Sequence, residues 1–189
     1  DVYKRQVRNL VILLRGIDAA EALQPLGNLI GHPHPKVQFE VIRTFLHFND
    51  PRAERFLLRL IDSRDPAVVI GATRLAAGSR NPEIARRLAG LLGSRGFAEQ
   101  ELALKEAVIK TLAEMGCKEA LPGLEAFIEG RNLFMSAALQ RLKVAAVLSL
   151  GRYAVPAAHA LAERLSHKQT GEIARAAGQV CRRPGGTQP

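Results

Sequence analysis

The sequence predicts an all-α fold, a right-handed α-solenoid of about five helical pairs with the first pair incomplete. Three observations carry this expectation. An aliphatic residue opens an apolar helical segment at Val7, Val37, Val68, Leu104, Leu142 and Ile173, with separations of 30, 31, 36, 38 and 31 residues. Intervals of this size mark stacked helical units. The apolar residues within each segment repeat with a period near 3.6, and no stretch alternates convincingly as a strand would. Proline recurs where helices should begin, at His34-Pro35, Asp50-Pro51, Asp65-Pro66 and Asn81-Pro82.

These dipeptides share one chemistry. Proline at the first helical position loses no needed hydrogen bond, and its φ is already helical. Asp50, Asp65 and Asn81 add a capping side chain, whereas His34 is the weakest cap of the four. The first helix of a pair reads as Ala53, Phe56, Leu57, Leu60 and Ile61 on one face, then Ile84, Leu88, Leu91 and Leu92, then Ala120, Leu121, Leu124, Phe127 and Ile128. The second helices read as Val37, Val41, Phe45 and Phe48, then Val68, Ala72, Leu75 and Ala76. Leu104, Ala107, Val108, Leu112 and Met115 follow, then Leu142, Ala145, Ala146 and Leu150, then Ile173, Ala176, Ala177 and Val180. Alanine in the middle of four of these stripes lets neighbouring backbones approach closely.

Two junctions are longer than the rest, from Gly93 to Glu99 and from Glu129 to Ala137, and they account for the separations of 36 and 38. Insertions of this kind cost an array little stability and often carry function. Phe97, Phe134 and Met135 make these connectors apolar, as expected of segments that tuck back onto an adjacent unit. The array is expected to span residues 7–181. Residues 1–6 read as a non-native or unstructured start, and 182–189, rich in Pro and Gly, as a disordered tail. The segment Val7–Leu14 has no preceding partner helix, so the chain reads as the C-terminal part of a longer array.

Composition fits a packed helical domain. Hydrophobic residues make up 47% of the 189, enough for a continuous core, while aromatics supply only 5% and Trp is absent. Small side chains therefore dominate the packing. Lys and Arg number 27 against 18 Asp and Glu, a formal net charge of +9 that favours acidic partners. Cys117 and Cys181 lie far apart and form no C-x-x-C pair, so they read as reduced core thiols of a cytoplasmic protein. No apolar run approaches ~18 residues, so no membrane-spanning helix is expected.

With these residues in view, the chain resembles the HEAT-repeat family in its bacterial form, that of the phycobilisome-lyase-type HEAT repeats. The resemblance covers residues 7–181. It is carried by Leu104-Lys105-Glu106-Ala107-Val108-Ile109-Lys110-Thr111-Leu112 and Leu142-Lys143-Val144-Ala145-Ala146-Val147-Leu148 as second helices. Ala120-Leu121-Pro122-Gly123-Leu124 and Ala22-Leu23-Gln24-Pro25-Leu26 look like first helices with an early proline. The family often places a basic residue just after the second-helix aliphatic. Arg8, Lys105 and Lys143 fit that pattern, and Gln38, Val69 and Ala174 do not. The resemblance implies first helices outside, second helices lining a concave side, and protein binding without chemistry.

No catalytic constellation accompanies these features, so the chain is not expected to be an enzyme, and no cofactor is expected. Gly90, Gly93 and Gly96 are evenly spaced, but no strand precedes them, and they read as a helix end and loop. His159, Glu163 and His167 share a helix face, yet the histidines are ~12 Å apart along the axis, too far to hold one ion, so no metal is expected. His32 and His34 flank Pro33 in a turn and offer still less. A DNA-glycosylase site of the kind found in some HEAT-like proteins would need an aromatic-lined cleft with a catalytic Asp. The isolated Tyr3 and Tyr153 and the absence of Trp argue against one. A bilin-lyase-like enzyme module has motifs too degenerate to discriminate.

One basic register is orderly. Arg43, Arg74 and Lys110 each lie six residues after the repeat aliphatic, about 240° round the helix and away from the buried stripe. In a stacked array they should form a row on the concave side, which Lys36, Lys105 and Lys143 would widen. The expected function is a non-catalytic scaffold or adaptor that binds an acidic peptide or protein surface through this row. Nucleic acid is the alternative partner, since phosphates would use the same cations. Against it stand the scarcity of aromatics for stacking bases and the lack of a dense basic block.

Overall fold

Proline and a capping side chain begin three of the helices as the dipeptides predict, after His34, Asp65 and Asn81, whereas at Asp50-Pro51 the proline itself takes the cap position and the helix starts at Arg52. The computed structural model describes residues 2–17, 21, 23–93, 98–130 and 136–182, and among these it forms eleven α-helices and no strand. The expected apolar connectors at Phe97, Phe134 and Met135, together with Gly96 and the tail from residue 183 onward, lie outside the described residues. The chain divides into two compact units, Asp1–Ser79 and Arg80–Pro189.

The first unit holds α1 (Val2–Gly16), α2 (Leu23–Leu26), α3 (Pro35–His47), α4 (Arg52–Ile61) and α5 (Pro66–Leu75). Residues 2–6, expected to be unstructured or non-native, are helical and begin α1. Helix α2 is a single short turn that passes into a 3-10 turn over Gly27–Gly31. His34 caps α3 despite its type, because its Nδ1 accepts the Lys36 amide at 3.3 Å. Asp65 Oδ1 accepts the Ala67 amide at 2.9 Å and so begins α5. Helix α3 packs on α1, α4 and α5, which places it at the centre of the unit. Its Val41 and Phe45 meet Val11, Leu26 and Ala53 in one apolar cluster. Phe45 stacks on Phe56 at 5.8 Å, and the Arg52 guanidinium lies 4.6 Å over the Phe45 ring. The same guanidinium bonds Asp50 and donates to the Leu23 carbonyl at 3.2 Å, which fastens the α2 segment to the start of α4.

Helix α1 packs with only one side. Val11 is fully buried, while Leu10, Leu13 and Ile17 are 56%, 63% and 70% exposed.

The second unit holds α6 (Pro82–Leu91), α7 (Ala98–Met115), α8 (Leu121–Glu129), α9 (Ala137–Ser149), α10 (Pro156–Lys168) and α11 (Gly171–Arg182). Asn81 Oδ1 accepts the Glu83 amide at 2.8 Å and opens α6, and Ser136 caps α9 in the same way. Helix α6 packs on α7 and α8, α9 on α7, α8 and α11, and α10 on α11. Gly123 lets α8 approach α6 closely, since a Cβ there would come 2.6 Å from the Ala89 methyl and 3.0 Å from its carbonyl oxygen. The Tyr153 hydroxyl donates to the Leu112 carbonyl at 2.9 Å inside the unit, and burial pushes this phenol above its ordinary range. The predicted stripes line the core with one local exception. Ala145 is exposed, and Val147 is buried in its place because α9 is packed from two sides. Cys117 and Cys181 are free thiols, half-buried rather than in the core.

Candidate functional site

The position six residues after the opening aliphatic is exposed in all six helices that carry one. It is Leu13 in α1, Arg43 in α3, Arg74 in α5, Lys110 in α7, Leu148 in α9 and Gln179 in α11. The opening aliphatics are buried at Val37, Val68, Leu142 and Ile173, and half-buried at Val7 and Leu104. The angle argued from helical geometry therefore holds helix by helix. The register is not basic throughout, because Leu13 and Leu148 are apolar and Gln179 is uncharged.

Arg43 and Arg74 lie on neighbouring helices of the first unit. Phe39 of α3 rests against Gly71 of α5, and each arginine is about one turn beyond that contact on its own helix. Lys110 is exposed on α7 and belongs to the second unit. Lys36 is exposed in the first turn of α3.

Two cations expected to widen the row do not face solvent as it requires. Lys143 is buried, and its ammonium donates to the Gly130 carbonyl at 2.5 Å. It thus satisfies the C-terminal end of α8 instead of presenting charge, and burial lowers its pKa from 10.5. Lys105 is half-buried, with its ammonium 5.7 Å over the Phe127 ring. Both occupy the position directly after the repeat aliphatic, about 100° from it, which falls within the packed arc of these two helices.

An acidic residue that the sequence did not single out organises the first unit's arginines. The Glu40 side chain is only 6% exposed, and three guanidinium groups surround its carboxylate. Arg43 Nη1 donates to Oε1 at 2.9 Å, Arg15 Nη1 donates to Oε2 at 3.3 Å, and Arg8 Nε lies 3.6 Å from Oε1. One carboxylate among three guanidiniums leaves a local excess of two positive charges, so the face still favours an anion. Arg8 and Arg15 are two turns apart on α1, and that spacing was the available signal. Glu40 itself looks like any solvated helix charge until α1 is packed on α3.

His159, Glu163 and His167 stand exposed along α10, and no group of three metal-capable side chains occurs among the described residues. His32 and His34 are taken up by the turn before α3, where His32 Nδ1 accepts the His34 amide at 3.1 Å. No helix among the described residues is long and apolar enough to cross a membrane.

Comparison with protein-family models finds no match, and comparison with curated protein sequences finds none either.

Proposed function

We propose that this chain is a HEAT-like α-solenoid segment that works as a non-catalytic adaptor and holds an acidic segment of a protein partner on its second-helix face. The observation that carries this reading is the exposed register six residues after the opening aliphatic, which Arg43, Arg74 and Lys110 occupy in three of the six helices. In a solenoid such positions line up along one concave surface. The Arg8, Arg15 and Arg43 cluster around Glu40 adds a pre-oriented excess of positive charge, which favours fast and selective capture of an anionic partner. Lys36 extends the charge at the start of α3, while Lys105 and Lys143 are set aside for the reasons given above.

The test compares wild type with an Arg43→Glu/Arg74→Glu/Lys110→Glu variant in pull-downs, and in direct titrations with a polyglutamate peptide and a DNA duplex. Loss of protein partners and of polyglutamate binding in the variant supports the adaptor. Recovery of the same partners by both proteins ends the proposal. Tight duplex binding that falls steeply with salt, without protein capture, would instead select the nucleic-acid reading.

A further inference from the structure

We propose that the cleft between α9 and α11 seats an apolar side chain carried by an acidic segment of a protein partner. The proposal deepens the adaptor reading and rests on its acidic protein partner. The cleft is a shallow, solvent-open depression of about 310 Å³. From α9 come Arg141, Val144 and Leu148, and from α11 come Glu172, Arg175, Ala176 and Gln179. Spacings of three, four and seven residues put each set on one face of its helix. Two packed helices thus present matched faces to one depression, whose apolar part is Val144, Ala176 and Leu148. Leu148 is 42% exposed, unusual for a large aliphatic in a unit whose other leucines are mostly buried. It stands six residues after Leu142, the register that Lys110 holds on α7 of the same unit.

Charge selects the occupant. Arg141 and Arg175 line the cleft with the apolar groups, and neither forms an ion pair with another described residue. Glu172 is the one acid in the lining. A leucine, isoleucine or phenylalanine flanked by Asp or Glu would bury its side chain and bring its carboxylates to the two guanidiniums, which bind carboxylates in a bidentate fork. A nucleic acid would leave the apolar seat unused, and the cleft offers no aromatic side chain for a base to stack on.

A random library of peptides of about twelve residues, displayed on phage, tests the proposal against the full chain. Enriched sequences are resynthesised with a fluorophore and titrated against wild type, Leu148→Asp and Arg141→Glu/Arg175→Glu. All three substituted side chains are exposed or line the cleft, and unchanged thermal unfolding would show that the variants fold. The expected result is an enriched motif of one aliphatic or aromatic residue flanked by acids. Each variant, and each peptide with its anchor changed to Ser, should then bind about tenfold more weakly. The proposal is overturned if selection yields no such motif or if both variants bind as wild type does. It is also overturned if Leu148→Asp instead disperses a dimer of the chain, which would make a second copy the occupant. Peptides that depend on Arg43 and Arg74 but not on Leu148 would refute the cleft and leave the adaptor reading standing.

Discussion

The Phe39 ring lies in the space that a β-carbon on residue 71 would need, with Cε2 only 2.5 Å from where that carbon would sit. Glycine at 71 therefore sets how closely α3 and α5 approach, and with it the separation of Arg43 and Arg74 one turn on. Gly71→Ala should destabilise the protein by about 1–2 kcal/mol, since overpacking of this size outweighs the better helix propensity of alanine. Urea unfolding measures the change. Adding Phe39→Leu to Gly71→Ala should recover part of the loss, and additive effects of the two substitutions would disprove the contact.

Glu40 is the counter-charge of three arginines, so removing its charge should matter more than its helical position implies. Glu40→Gln leaves Arg8, Arg15 and Arg43 facing one another across a half-buried site. A loss of about 2 kcal/mol is expected from the broken charge-assisted hydrogen bonds. Arg43→Gln removes only one of the three partners and should cost less. Equal losses for the two substitutions, read from denaturant midpoints, would contradict the hub.

The Arg52 guanidinium beside Asp50 holds its carboxyl below the ordinary value of 3.8. A carboxylate with a depressed folded-state pKa contributes stability above its unfolded value and loses it as pH falls through the folded one. The stability advantage of wild type over Asp50→Asn should therefore be full at neutral pH. It should shrink as the solution is taken through 3.8 and below. Thermal unfolding across that acid range gives the comparison, and a pH-independent difference would rule the pair out as its source.

The sign is opposite for Lys143. Burial lowers its folded pKa below 10.5, so the unfolded chain binds the extra proton between the two values and stability rises with pH in that window. Relative to Lys143→Met, wild type should gain stability as pH climbs from the lowered value towards 10.5. Other alkaline titrations, including that of Tyr153, occur in both proteins and cancel in the difference. At neutral pH the substitution should be nearly neutral, within about 1 kcal/mol, because methionine fills the volume without a buried charge but leaves the Gly130 carbonyl unbonded. A flat difference across the alkaline range would mean that the ammonium is solvated.

Helix starts were legible because proline and its capping neighbours act locally, within three residues, as Asp65 and Asn81 do. The exposed register was legible as well, since a position about 240° round from the opening aliphatic lies on the far side of the helix from its buried stripe. Lys143 and Lys105 were misjudged by the same geometry. They lie at an angle where exposure depends on how many helices surround the one that carries them, and α9 has several. Glu40 and the α9–α11 cleft were not legible, because each joins side chains contributed by two helices distant in sequence.

Read without coordinates, this chain specified helices, their approximate limits, their buried stripes and the orientation of Arg43, Arg74 and Lys110. All of these follow from local capping and a 3.6-residue period. Tertiary packing alone decided that Glu40 gathers three guanidiniums, that the Lys143 ammonium turns inward to a helix end, and that Leu148 and Ala176 share a cleft. Those outcomes depend on which helix lies against which, and the pairing of distant helices leaves no mark in the spacing of either one.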